Sequence, residues 1–503
     1  MLEGSKYRIG SVTDLEILLS LLEQSYTVAK PKSSNFVFSI FDTFSWDLFK
    51  KKKYLYTIEN KLYFQSFKGR RKRIKVTPQK HFLPVTDITN SAEFQSIKKL
   101  TGRRAVSQRA KWEVKQKVFP LFNKNSKKVA AVYFEKFTIK TQTVLLVRIV
   151  QSSGFIDDFE FINTWAEKNN LQKAKNNSFQ ILLNERNIFP LKYTSKIHLE
   201  CNPDTPVFLA VREIFEKGRN NLLANFSGLK KDLDTEFLHD FRTTSRRLKS
   251  AISQFKNTCH RHTYDKIKYH LTYLQKSTNE LRDLDVDILG KNEYFKLIPE
   301  EYSPELNKLF EHLCKKREAA FENFIQKVES LEINHSIQQL NTFVFHLYPE
   351  NDKIPEKARE PIKENADIIL KSRFEKIVNQ GNLLNENSAD PEIHALRLHC
   401  KKLRYSLEFF KNYYPEKRIG SFITRLKELQ DNLGRFNDLS VQIERLSFFK
   451  EEFSSSDKTS DVLNLLLKLK TNQKDEIRNE FNLLLKRFLS KRTINSFYKL
   501  FSN

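Results

Sequence analysis

The chain is predicted to be α+β, an antiparallel β meander or barrel followed by an all-α bundle with internal twofold repetition. Three observations point there. Up to about residue 200, short runs rich in Val, Phe, Tyr, Ile and Thr alternate with turn-like pairs. From about Thr205 onward the apolar period becomes 3.6, and Leu, Lys and Glu dominate. Within that second stretch a basic helix occurs twice, 155 residues apart.

In chain order, Val12 to Gln24 carries a helical pattern, and Asn35 to Phe41, Lys53 to Ile58 and Lys61 to Phe67 read as strands. Lys111 to Phe119, Lys128 to Thr138 and Thr143 to Val150 are three more strands, and Asp158 to Asn169 is a second helix. Asn123 to Lys127 lies between two strands as a hairpin loop, and Glu59-Asn60 is another candidate turn. The expected domains are therefore 1–200 and 201–503. The second is expected to divide into repeats of about 205–350 and 360–503, joined by the charged, proline-containing segment Lys353 to Pro361.

The repeat is gapless. His239-Asp240-Phe241-Arg242, followed by Arg246-Arg247-Leu248-Lys249, matches His394-Ala395-Leu396-Arg397, followed by Lys401-Lys402-Leu403-Arg404. Residues at offsets 0, 3, 7 and 10 fall within about 80° on a helix. His239, Arg242, Arg246 and Lys249 thus share one stripe, and His394, Arg397, Lys401 and Arg404 share the other. Phe241, Leu248, Ile252 and Phe255, like Leu396, Leu403, Leu407 and Phe410, occupy the opposite, core-facing side. A surface helix usually mixes signs, because like charges at i,i+4 repel. Neither stripe contains an acid, a pattern suited to an anion opposite it, since Arg offers a planar fork for phosphate oxygens. Downstream, Leu274-Gln275 matches Leu429-Gln430, and Arg282-Asp283-Leu284-Asp285-Val286 matches Asn437-Asp438-Leu439-Ser440-Val441, read as an acidic turn closing each unit.

Composition narrows the function. The 503 residues hold 87 Lys plus Arg against 61 Asp plus Glu, a net charge of +26, which points to a polyanionic partner or an anionic surface. Four scattered cysteines, Cys201, Cys259, Cys314 and Cys400, support neither a disulfide framework nor a thiolate metal site. No apolar run is long enough to cross a membrane, and the start lacks the apolar core of a secretory signal, so a cytoplasmic location without membrane insertion is expected.

The paired order of His, Arg, paired basics and a further basic residue, with the trailing Leu-Arg-Asp-Leu-Asp-Val segment, resembles the conserved-histidine α-helical domain, CHAD. The resemblance covers roughly 205 to 500. It implies two four-helix bundles related by a pseudo-dyad, with a basic central channel that binds inorganic polyphosphate. By that resemblance His239, Arg242, Arg246, Arg247, Lys249, His394, Arg397, Lys401, Lys402 and Arg404 line the channel. The amino-terminal half resembles the CYTH or triphosphate-tunnel fold, an eight-stranded antiparallel tunnel, through Lys6-Tyr7-Arg8-Ile9, Phe41-Asp42-Thr43, Ala110-Lys111-Trp112-Glu113-Val114 and Gly154-Phe155-Ile156-Asp157 to Glu160. Active members of that fold open with Glu-x-Glu-x-Lys and hold divalent metal, whereas Leu2 and Gly4 stand four and two positions before Lys6 here. A hard cation needs carboxylate oxygens, and the remaining acids Asp42, Glu113, Glu135, Asp157, Asp158 and Glu160 are scattered. The resemblance therefore implies a degenerate tunnel without triphosphatase activity.

On the strand Lys111 to Lys117, Lys111, Glu113, Lys115 and Lys117 share one face, either a phosphate-binding tunnel wall or a solvated exterior. Lys50 to Lys53 and Lys68 to Lys75 are dense basic runs that either bind or merely solubilise. The expected function is non-catalytic binding of inorganic polyphosphate, without cofactor, metal or catalytic residue. Polyphosphate granules rank among the partners and nucleic acid ranks lower. The two alternatives are an RNA-binding protein, which would interleave aromatics with its basic residues, and a metal-dependent tunnel triphosphatase.

Overall fold

The structure, a computed structural model, describes residues 4–67, 72–74, 82–83, 92–139, 142–168, 171–174, 178–190, 193–345, 354–452 and 458–501. It forms two compact units, Met1–Thr194 and Ser195–Asn503.

In the first unit the order is β1 (Ser5–Ile9), α1 (Val12–Leu22), β2 (Thr27–Val28), β3 (Lys32–Thr43), α2 (Asp47–Lys50), β4 (Lys53–Ile58), β5 (Lys61–Ser66), β6 (Lys72–Ile74), β7 (Phe82–Leu83), α3 (Ala92–Thr101), β8 (Val106–Phe122), β9 (Lys128–Ile139), β10 (Gln142–Gln151), α4 (Ile156–Lys168), β11 (Gln172–Lys173) and α5 (Ser178–Glu185). The strands make one antiparallel sheet, β11-β1-β10-β9-β8-β3-β4-β5-β6, with β2 and β7 on the two ends of the long β8. Val, Phe and Tyr at every second position let one face pack as a core. That face carries Phe38, Ile40, Tyr54, Tyr56, Trp112, Val114, Phe137 and Leu146, and α5 lies on it through Phe179, Leu182 and Leu183. Phe179 stacks flat on Tyr54 at 3.9 Å.

The candidate tunnel residues are accounted for by this packing. Lys111, Glu113, Lys115 and Lys117 are exposed, while Trp112 and Val114 turn into the core, so this basic face is a solvated exterior. Glu135, fully buried, accepts from Arg148 (3.0 Å) and Gln116 (2.9 Å). Burial and then Arg148 pull the Lys6 ammonium down to about 8, with Glu135 opposing. Asp42 accepts from the backbone N–H groups of Thr43, Leu48 and Phe49, and burial pushes it up to about 7. Asp158 accepts from the Tyr26 hydroxyl. Among the described residues no three His, Cys, Asp or Glu side chains gather as cation ligands. Leu2 and most of Lys68 to Lys75 lie outside the described residues; Lys50 to Lys52 are exposed and Lys53 donates to Ser66.

The second unit holds α6 (Val207–Lys230), α7 (Thr235–Gln254), α8 (Arg261–Lys276), α9 (Asn279–Leu289), α10 (Lys291–Leu297), α11 (Ser303–Glu329), α12 (Glu332–Phe345), α13 (Glu356–Arg359), α14 (Ile362–Leu383), α15 (Asp390–Phe410), α16 (Glu416–Glu452), α17 (Lys458–Phe488) and α18 (Lys491–Tyr498). The starts of α6, α7, α8 and α11 recur 155 positions later as the starts of α14, α15, α16 and α17. Helices α6, α7, α8 and α12 pack as one four-helix bundle. In the other, Phe374 of α14 meets Phe422 of α16 and stacks on Phe497 of α18 at 4.0 Å, with α15 completing the set. The predicted core faces of α7 and α15 are buried throughout.

A residue touching its own counterpart lies on the pseudo-dyad, and among the described residues two pairs in direct contact mark it. Pro206 and Pro361 form an antiparallel bridge in which Val207 N donates to Glu360 O (3.0 Å) and Ile362 N donates to Thr205 O (2.9 Å). Phe255 and Phe410 meet edge-on at 6.2 Å. Two local expectations need correction. The supposed acidic turn is helical in both copies, as α9 and as the middle of α16; in the first, Arg317 pairs with Asp285 (3.0 Å), and Arg445 pairs with Asp287 (2.6 Å) one residue beyond the segment. The expected connecting loop contains α13, and Lys353 lies outside the described residues.

Candidate functional site

Helix α7 starts where the Asp234 carboxylate accepts from Glu236 N (2.9 Å) and Phe237 N (3.1 Å), satisfying orphan donors of the first turn. Helix α15 starts at Asp390-Pro391, with proline in the first turn. Their apolar faces are held by their own bundles, and Phe255–Phe410 and the Ser406–Gln254 hydrogen bond (2.9 Å) join the two helices across the axis.

Arg246 and Lys401 are counterparts in the repeat, and they act on one another electrostatically. Burial, then Arg397, Arg246 and Arg404, pull the Lys401 ammonium from 10.5 down to about 7, with Asp438 opposing. Arg246 likewise lowers Arg397, behind burial. On the α7 side, burial and then Arg246 bring Arg242 to about 10. His239 is lowered by burial and by Arg282, with a smaller share from Arg246. The structure therefore brings together His239, Arg242, Arg246, Arg397, Lys401 and Arg404 as one connected cationic group drawn from both helices. The lowering of Lys401, Arg397 and Arg242 by burial and by neighbouring cations is the cost of concentrating positive charge at one place.

The two histidines have matching partners 43 residues downstream. Arg282 Nη2 donates to His239 Nδ1 (3.1 Å), so that ring is neutral and keeps its proton on Nε2. His394 Nδ1 donates to Asn437 Oδ1 (2.7 Å), leaving Nε2 as the acceptor in the neutral ring. The arginines differ too. Arg242 Nη1 donates to Gln275 O (2.8 Å) and Thr278 Oγ1 (2.9 Å), whereas among the described residues Arg397 has Asp438 at 3.9 Å as its ion-pair partner.

Three members of the expected set, Arg247, Lys249 and Lys402, are turned elsewhere, and Arg404 belongs to the axial group while also standing near a carboxylate. Arg247, 7% exposed, donates to Ser195 O (2.6 Å) and Glu408 (3.3 Å) in the α7–α15 seam. Lys249 faces Lys268 and Lys276 of α8, which lower it behind burial. Lys402 faces Arg373 and Lys376 of α14. Arg404 lies 3.7 Å from Glu408 but still adds to the field at Lys401. Sequence reasoning missed Arg282, Asn437 and Thr278 as partners; the conserved 43-residue interval from each histidine was the available signal.

Residues 213–447 match the CHAD domain family model. The helical unit thus contains a CHAD domain. Among solved structures, a CHAD domain from the plant Ricinus communis is similar at 20% identity and TM-score 0.48, covering 57% of this chain and 94% of that one. PptA from Streptomyces chartreusis is similar at 12% identity and TM-score 0.46, covering 56% and 100%. A putative adenylate cyclase from Vibrio parahaemolyticus is similar at 12% identity and TM-score 0.23, covering 36% and 99%. No curated protein matches the chain. Among the described residues, no helix is long and apolar enough to cross a membrane.

Proposed function

We propose that the CHAD domain binds inorganic polyphosphate along the axial cationic group, without turnover. The observation that carries this reading is that Arg246, from one repeat, bears electrostatically on both its own counterpart Lys401 and Arg397 of the other. Like-charged side chains gathered at one place are stabilised by a linear chain of phosphates, and the counterions released by that chain add a salt-dependent term. The aromatic nearest the second stripe, Tyr405, is 6% exposed beneath Arg247 and Arg404, so it offers no platform for base stacking, and a bare phosphate chain is favoured over RNA.

Catalysis by the histidines is disfavoured by their partners. A guanidinium donating to Nδ1 makes His239 a poor base, and among the described residues the Nδ1 partners of the two rings are Arg282 and Asn437 rather than carboxylates. Replacing Arg242, Arg246, Arg397 and Lys401 together by Ala is expected to weaken polyphosphate binding by orders of magnitude and to flatten its salt dependence, with helical content by circular dichroism unchanged. Displacement of labelled polyphosphate by RNA at equal or lower concentration would overturn the reading, as would phosphate release above background with Mg²⁺ or Mn²⁺.

A further inference from the structure

A second cationic cluster lies off the axis, where α14 packs on α15. Gln380 Nε2 donates to Glu392 O (3.2 Å), and in this antiparallel register Arg373 stands level with His399. Lys376 follows Arg373, and Lys402 follows His399, one helical turn on. The repeat explains why Arg373 is half-buried. Its counterpart Gly218 is buried on the α6–α7 seam, where an added Cβ would meet Leu248 at 2.4 Å. Position 373 therefore points into a helix–helix seam, and its side chain must emerge between α14 and α15. Among the described residues its guanidinium has no hydrogen bond or ion pair.

The charges bearing on this group are its own members. Burial alone brings Arg373 down to about 10. His399 is lowered by burial and then by Lys402, Lys376 and Arg373, and Lys402 by burial, Arg373 and Lys376, with no acid opposing. A half-buried cation among like charges is destabilising until an anion joins it. The first repeat lacks the feature: Gly218, Asn221 and Thr244 replace three members, and Arg247, at the place of Lys402, is taken by Ser195 and Glu408.

We propose that Arg373, Lys376, His399 and Lys402 form a second anion site for a compact phosphate group, present in one repeat only and separate from the axial group. The same phosphate chemistry has two sources, a free short chain or a length of the polymer held on the axis.

The test uses the full chain with ¹³C-labelled histidine, the His399 signal being assigned by its loss in His399→Gln. Three forms are titrated with tripolyphosphate and with long-chain polyphosphate: the parent, an axial variant (Arg246→Ala, Lys401→Ala) and a cluster variant (Arg373→Gln, Lys376→Gln, Lys402→Gln). A His399 shift with tripolyphosphate that persists in the axial variant, with calorimetric affinity reduced at least tenfold in the cluster variant, supports a free short chain as occupant. A shift produced only by the long chain, and only in the parent, supports continuity with the axial polymer. No His399 shift with either ligand, or parental tripolyphosphate affinity in a folded cluster variant, overturns the proposal. Loss of long-chain binding in the axial variant reads the axial site independently.

Discussion

The two repeats of the helical unit place their helices at the same positions, yet they load their basic stripes differently. In the first, the helix breaks after α8, where Thr278 N donates to Gln275 O (3.3 Å) and the Thr278 hydroxyl, not its N–H, takes Leu274 O (3.0 Å). The break presents the Gln275 carbonyl, and Arg242 donates to it. In the second, α16 runs through the corresponding Asn432 and Leu433, and among the described residues Arg397 keeps a long contact with Asp438. The histidines differ in the same sense, Arg282 donating to one and Asn437 accepting from the other. A duplicated scaffold conserves where a cation stands; its partner decides whether the cation is available to a ligand.

Four measurements would break or sharpen this comparison. The largest effect is expected at the axis, where the repeats meet. Arg246→Ala with Lys401→Ala should weaken polyphosphate binding roughly 100-fold and lower the log–log salt slope by about 0.7 to 0.9 per cation removed. Lys50→Ala with Lys51→Ala should change neither much, and an equal loss there would remove any special role for the axis.

Next in size is the contrast between equivalent arginines. Arg397→Ala should weaken binding several-fold more than Arg242→Ala, measured by titration at fixed salt. Arg242→Ala should instead destabilise the fold by about 1.5 to 3 kcal/mol, since it removes charged hydrogen bonds to Gln275 and Thr278, and thermal or urea melting reads this directly. Similar effects on binding and stability for the two variants would contradict the asymmetry.

A smaller effect is expected from pH. The folded Lys401 pKa, about 7, is depressed below its ordinary 10.5, so the free protein favours the neutral amine above pH 7. A polyanion favours the ammonium, and binding then takes up a proton. Affinity should be highest below pH 7 and fall as pH rises through 7, by no more than about tenfold per pH unit for one proton. Without ligand the sign for stability is the reverse of a favourable ion pair. The charged lysine destabilises fully below pH 7, and this penalty fades as pH rises from 7 to 10.5. Lys401→Arg should flatten both profiles.

The smallest change is expected from Asn437→Arg, which gives the second histidine the partner of the first. Affinity should move only a few-fold, while the ¹⁵N signature of His394 should pass from the Nδ1–H to the Nε2–H tautomer. An unchanged tautomer would mean that the partner does not set the ring.

Much of the architecture was legible in the chain. The run Lys53 to Ile58 is β4 to the residue, and of the three strands read between Lys111 and Val150, β9 and β10 gain one and two residues while β8 gains eight, because alternation continues into their ends. Short strands such as β6, β7 and β11 were not legible, since two or three residues carry no period. The acidic segment was misread as a turn because Asp and Asn favour turns locally. Arg317, distant in sequence, pairs with its Asp285 within a helix.

At the site, the sequence by itself determined the 155-residue period, the faces of α7 and α15 that hold the cations, and the apolar stripes that bury behind them, because helical geometry converts spacing into direction. Only the tertiary structure decided what lies opposite each side chain. Arg246 and Arg247 are neighbours in the chain but about 100° apart on the helix, so one reaches the axis and the other is spent in a seam on Ser195 and Glu408. Opposition across an interface depends on how two distant segments dock, and a local pattern carries no record of it.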